Sequence, residues 1–305
     1  MRLITLDRMS EEYSSSLKRL ESWGVRVVGT RLDTYCKLLK NANAQERDGD
    51  ESHQSDERFR NAIVEASDVI DITRLDSSLF VGSHVLEKLK QISGGNEFAE
   101  DEGADPGRDY AFEFACASEF HDHGHFGGFS SSAGDLLVSP GLWPIENKRI
   151  SSLTKLEQRI RKARDQLQCG FKAGGPPGLI ALDLSRPIRR THGHLAAVSD
   201  DALIEATSKT LSAYIGKHLM RAIRPEDAAR LGVLGIMVRY VSVGTAGDTS
   251  RIRRSTTWQL VSLHNDHSAE NKLFLNIAAL CGSAPIVDGT LEELVSARAS
   301  MFSRQ

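Results

Sequence analysis

The chain lacks a close pair of cysteines. Its four, Cys36, Cys116, Cys169 and Cys281, are widely separated and form no CxxC, so they are read as small buried hydrophobes in a reducing compartment. No apolar run approaches the ~18 residues that a membrane span needs. The opening MRLITLDRMSEEY meets acidic residues too early for a signal peptide, and a cytoplasmic protein without a membrane partner is expected. A strong charge of one sign is also missing. With 38 basic and 41 acidic residues the net charge is −3, which gives no general case for a polyanionic partner. There is no P-loop, no dinucleotide fingerprint, no HExxH and no internal repeat, and "GFSSSAG" has the wrong flanks for a nucleophile elbow.

What remains is a composition of 305 residues, 40% hydrophobic and 26% charged, that of a soluble globular protein large enough for one large domain or two smaller ones. "EEYSSSLKRLESW", "RLDTYCKLLKNA", "RFRNAIVEASDVIDI" and "SHVLEKLKQI" carry apolar residues at helical spacing. Between the second and third lies "NANAQERDGDESHQSDE", without a large apolar residue and read as an exposed loop. "SGGNEFAEDEGADPG" is a linker by its Gly, Pro and acids. A boundary is therefore expected near Asp105, dividing a helical N-terminal domain, 1–104, from a domain covering 105–305.

Beyond that boundary the pattern changes. A helix is expected from about Asp109 to near Gly124, then strand-like runs "DLLV" and "WPIENK". The helix "TKLEQRIRKARDQLQ" has an apolar stripe of Leu156, Ile160, Ala163 and Leu167. "GLIALDLS" reads as a buried strand, "DDALIEATSKTLSAYIGKHLMRAI" as a long helix capped by Asp200 or Asp201, "VLGIMVRYVSV" and "TTWQLVSL" as strands, and "TLEELVSARASMF" as a closing helix. The fold class is α/β, helices around a mixed sheet.

The stretch "GDLLVSPGLWPIENKR", Gly134 to Arg149, carries the chemistry. In a strand, residues two apart share a face, so Glu146 and Lys148 point the same way. If the two runs pair about Pro140-Gly141, Asp135 lies opposite Glu146, with Cβ atoms ~4.5–5.5 Å apart. Carboxylates that close repel unless one is protonated or a cation lies between them. Lys148 can neutralise one. A few hard oxygen ligands with open positions suit Mg²⁺, with Mn²⁺ as substitute.

Asp135, a gap of about ten residues, and Glu146-x-Lys148 on consecutive strands after a Glu-bearing helix resemble the PD-(D/E)xK nuclease superfamily. The matching elements are Glu113 in "YAFEFACASEF", Asp135, Glu146, Lys148, the basic helix 154–168 and "GLIALDLS". They cover roughly residues 105–190, and Gly134 stands where the motif has proline, a departure that many members tolerate. The resemblance implies a restriction-endonuclease-like fold and metal-dependent phosphodiester hydrolysis of nucleic acid, DNA on family grounds. It further implies Asp135 and Glu146 as Mg²⁺ ligands and Lys148 acting on the water or the oxyanion. Glu113 would take a second metal or its water, and residue Asn147 would lend a main-chain carbonyl. Glu119 lies on the same helix on another side and is the alternative to Glu113.

From Glu146 to Arg190 there are eleven Lys or Arg against four Asp or Glu. Arg149, Arg159 and Lys162 are candidates for phosphate contacts, and Gln158 and Gln166 lie on the same basic helix. "HDHGH" (His121, Asp122, His123, His125) falls at the expected helix end, where exposed histidines favoured by the helix dipole compete with a transition-metal site. His192 and His194 in "RRTHGH" pose the same choice. The alternative function is a catalytically inactive nuclease-fold module that binds nucleic acid or a protein. A hydrolase of small phosphorylated molecules is a third reading. Residues 1–104 would regulate, dimerise or recognise a partner.

Overall fold

The computed structural model describes residues 2–50, 56–95, 105–130, 134–222, 232–247, 251–264 and 268–279. A short strand, β1 (Arg2–Thr5), leads into helices α1 (Leu6–Ser22), α2 (Arg31–Arg47), α3 (Glu57–Ile72) and α4 (Ser83–Gln91). Helix α5 (Pro106–Asp122) follows, then β2 (Phe126–Phe129), β3 (Leu136–Val138), β4 (Trp143–Arg149), α6 (Leu156–Lys172) and β5 (Gly178–Asp183). The chain continues through α7 (Ser185–His192), β6 (Leu195–Ala197), α8 (Asp200–Tyr214), a π-turn (Ile215–Leu219) and α9 (Met220–Ala222). The described part closes with β7 (Val233–Ala246), β8 (Ile252–Ser262) and α10 (Ala269–Ala279). The helix expected in "TLEELVSARASMF" lies outside the described residues.

The strands form one mixed eight-stranded sheet in the order β1-β8-β7-β5-β4-β3-β2, with β6 paired to β7. β4, β5 and β7 run parallel, with β6 parallel to β7, while β3 is antiparallel to β4 and β8 to β7. The class is α/β, as the sequence implies. Two cores lie against the sheet. One joins apolar side chains of α1–α5 and α10 to Leu136, Ile145, Leu179, Ala181 and Met237. The other joins the expected stripe of α6, Leu156, Ile160, Ala163 and Leu167, to Ile180 and Leu182 and to Ile188 of α7 and Leu211 of α8. The division expected near Asp105 is no break in the packing, because β1 is hydrogen-bonded to β8 and α3 packs on α5.

Three local expectations need correction. Residues 41–47 of the expected loop are helix: α2 runs on to Arg47, with Ala42 buried and the Glu46 carboxylate accepting the Ile252 N–H at 2.5 Å, while 51–55 lie outside the described residues. Alanine and straight-chain residues carry helix well, and here an edge of the sheet supplies a partner. Helix α8 is capped by Ser199, whose Oγ accepts from the Ala202 N–H, and not by Asp200 or Asp201. β1, β2 and β6, too short to leave a period in the sequence, and the short helix α7 are additional.

Charged residues of α3 are the other feature of the interior. Glu65, Asp68 and Asp71 repeat every three residues and are all buried. Asp68 accepts from Arg149 of β4 and from Arg239 of β7, the latter at 2.6 Å. Glu65 pairs with Arg31 and Arg108, and these guanidiniums, together with Arg149, hold its carboxyl far below the usual range against the effect of burial. A buried charge is tolerable only when paired in this way.

Candidate active site

β3 and β4 pair as Leu136 with Ile145, Leu137 with Pro144 and Val138 with Trp143. Continued by one step, this register sets Asp135 opposite Glu146, the alignment that symmetry about Pro140-Gly141 requires. Residues 139–142 make the turn. A Cβ on Gly141 would come within 2.3 Å of the Trp143 ring, so only glycine fits there. Gly134, just before the aspartate, has φ +72°, a conformation closed to proline.

The Asp135 N–H donates to the Ile145 carbonyl at 2.8 Å, and its Oδ2 accepts the Asn147 N–H at 2.8 Å. The carboxylate is thus fixed against β4. Glu146 is fully buried and its Oε1 accepts from Lys148, two residues along the same face. Its Oε2 is buried with no hydrogen-bond partner among the described residues. Glu113, on α5, is buried too and accepts from Lys88 Nζ of α4 through both oxygens, at 2.8 and 2.9 Å. The same ammonium lies 3.8 Å from Asp135 Oδ1.

Lys88 is the site residue that sequence reading missed. In "SHVLEKLKQI" it is one of two lysines on an amphipathic helix, and nothing in the pattern separates it from a solvated charge. Asp109 was missed as well. It lies at the start of α5 and faces Arg159 of α6 at 3.4 Å. Burial raises its pKa, and Arg159, Arg149 and Lys148 oppose that rise.

The electrostatics follow from a simple count. Glu113, Asp135 and Glu146 bring three carboxylates, while Lys88 and Lys148 bring two ammonium groups. Burial, then the charge of Asp135, push the Glu113 carboxyl up to about 8, with Lys88 pulling only part of the way back. The same two causes push Glu146 up to about 7, against Lys148. Although burial lowers it, the Lys88 ammonium is held above its ordinary value by Glu113 and Asp135. The cluster holds one negative charge more than its lysines neutralise, and a proton or a metal cation can supply the balance. Among the described residues, however, no three His, Cys, Asp or Glu side chains are already gathered as a metal cage. Lys88 bridges Glu113 and Asp135 instead.

The chain matches no family model, no curated protein and no solved structure.

The remaining candidates divide. Glu119 is paired with Arg74 at 3.4 Å, in a group with Asp71 and Asp122, so of the two α5 glutamates it is Glu113 that joins Asp135. Arg149 does not line the surface. Its Nε donates to Asp183 at 3.0 Å, and it also binds Asp68 on the side away from Lys148. The period of two that puts Glu146 and Lys148 together puts Arg149 on the opposite face. The Asn147 amide is buried on that face without a hydrogen-bond partner among the described residues. Arg159 is half-buried at Asp109, while Lys162, Gln158 and Gln166 are exposed on α6. Helix α5 ends at Asp122, and Gly124 (φ +75°) and His125 close it by donating to the His121 and Phe120 carbonyls. Asp122 is engaged by Arg74, His123 is exposed, and His194 contacts Thr245 Oγ1 at 3.2 Å.

Proposed function

We propose that this protein is a metal-dependent hydrolase of phosphodiester bonds in nucleic acid, DNA in the first instance, built on a restriction-endonuclease-like arrangement. One observation carries the reading: Asp135 and Glu146 are held in register at the end of an antiparallel pair, with Lys148 on the same face as Glu146, and one oxygen of the buried Glu146 has no hydrogen-bond partner among the described residues. Such an orphaned, desolvated carboxylate oxygen in a cluster with surplus negative charge fits a divalent cation. Asp135 and Glu146 would hold Mg²⁺ or Mn²⁺, with the Asn147 main chain and Glu113 adding oxygen donors. The ion supplies Lewis-acid charge at the scissile phosphate and at the attacking water.

The chain's own residues do the rest. Lys148 donates toward the attacking water or the oxygen on which charge develops, beside the buried Glu146. Lys88 leaves one carboxylate of its pair and serves as a second cation at the phosphate. Lys162 and the basic face of α6 position the backbone without reading sequence. The test is cleavage of plasmid and single-stranded DNA in Mg²⁺, with EDTA as control. Wild type cuts and Glu146→Ala at equal purity does not; equal cutting by both removes the reading.

A second reading is favoured by Lys88. A lysine that bridges Glu113 and Asp135 neutralises the cluster without any metal, as a non-catalytic module that binds nucleic acid or a protein would allow. Calorimetric titration with Mg²⁺ separates the two: binding that is lost in Asp135→Ala supports the enzyme, and no binding supports the module.

A further inference from the structure

A second concentration of positive charge lies away from the carboxylate cluster. Of the eleven basic residues between Glu146 and Arg190, three fall on one short helix, α7, and the described structure puts them at a cavity. This cavity, of about 150 Å³, lies between α7 and the first turns of α3, with Arg186, Arg189 and Arg190 on one side and Glu57, Arg60 and Asn61 on the other. Among these lining residues there are four guanidiniums and one carboxylate. That carboxylate is a weak partner, since Glu57 is 3.9 Å from Arg190 and both side chains are exposed.

The contrast with the arginines under the sheet is informative. Arg149 and Arg239 are as buried as Arg189, yet they are held above the ordinary arginine value: burial lowers them, and Asp68 and Asp183 more than compensate. Arg189 goes the other way. Its Nη2 donates to Asn61 Oδ1 at 3.0 Å and its Nε to the Ser185 carbonyl at 3.2 Å, both neutral acceptors. Burial lowers it to about 10, still charged at neutral pH, with Tyr240, Asp183 and Glu65 giving only partial relief. Arg186, half-buried, is lowered by burial and by Arg190 and Arg108. Arg149 and Arg239 are matched with carboxylates, whereas Arg189 has no carboxylate within ion-pair distance among the described residues. A desolvated cation cluster of this kind wants an anion from outside.

We propose that the cavity between α3 and α7 is a binding site for a phosphate monoester. The guanidinium fork matches phosphate oxygens in pairs, and a dianion balances a multiply charged cluster that a single carboxylate cannot. The volume selects a group over a whole molecule. Sites for drug-sized ligands run to about 300–1,000 Å³, so a phosphate enters and whatever it esterifies stays outside. The phosphate comes from a free phosphorylated small molecule or from the end of an oligonucleotide. The site is independent of the metal-dependent chemistry proposed above and does not stand or fall with it.

The experiment is calorimetric titration of the full chain, without divalent metal, with four probes in two pairs: 5′-AMP against adenosine, and a 5′-phosphorylated decanucleotide against its 5′-hydroxyl form. The phosphorylated member of at least one pair binds at least about tenfold more tightly than its partner, and inorganic phosphate competes. The tighter pair identifies the source. Arg186→Gln loses about tenfold in affinity for that probe. Since Arg186 has no carboxylate within ion-pair distance among the described residues, and Glu57 and Glu65 offset its burial only in part, the same variant raises the Tm of the ligand-free protein. Arg190→Gln, exposed and safe for folding, weakens binding in the same direction. The proposal is overturned if neither phosphorylated probe is preferred, or if Arg186→Gln lowers the Tm and leaves the preference intact, the signature of a structural arginine.

Discussion

At the scale of the residue, the carboxylates and lysines of the β3–β4 end have separable tasks. Asp135→Ala and Glu146→Ala each abolish Mg²⁺-dependent cleavage and weaken Mg²⁺ binding, because each removes a metal donor. Lys148→Ala keeps Mg²⁺ binding and loses about 10²-fold or more in turnover, the magnitude for removing a single stabilising donor. Glu113 yields a prediction that needs no substrate. Its carboxyl lies near 8 in the folded protein against an ordinary 4.5. Between those values the folded state holds a proton that the unfolded chain has released, so this group's contribution to stability falls as pH rises from 5 to 8. Glu113→Gln removes that loss. In EDTA the Tm advantage of the variant over wild type grows from near zero at pH 5 to roughly 5 °C at pH 8. A constant difference across that range would place the surplus charge on another residue.

At the scale of the element, legibility depended on whether period alone decides placement. The hairpin register was legible because two strands about a short turn are related by symmetry, and α6 because its stripe is clean. Arg149 was legible in principle and misassigned, since neighbours of Glu146 and Lys148 in sequence lie on the other face. Lys88, Asp109 and the acids of α3 were not legible. A charge on a helix looks solvated until its partner from a distant element is known, and Asp68 meets partners on β4 and β7. That helix gives the strongest stability prediction. Asp68→Ala removes a carboxylate shared by two buried arginines, leaving Arg149 with Asp183 and Arg239 with Asp71, and costs about 3–5 kcal/mol in chemical denaturation, while the pairing itself, replaced by apolar residues, would cost far less. For α6, Lys162→Gln weakens DNA binding at low salt and flattens its salt dependence. An unchanged slope would move the DNA away from this helix.

At the scale of the whole molecule, residues 1–104 are not an appendage. Tyr13, Leu32, Phe59 and Ile63 share one core with Phe112, Leu179 and Met237, and β1 is bonded to β8. A fragment of residues 105–305 therefore shows no cooperative melting transition, while the full chain melts in one step. A fragment with its own sharp transition would restore the two-part division that composition suggests.

The clamp of Asp68 on Arg239 spans 171 residues of chain. A ribosome adding about 5–20 residues per second needs roughly 10–30 s to travel that distance. For the first 81 residues of that interval α3 has neither arginine to meet, and for the rest it has Arg149 of β4 but not Arg239 of β7. The N-terminal helices cannot close their core as they emerge. They wait, apolar faces open, for the last strands of the sheet, and the shared core stays incomplete until β7 has left the tunnel.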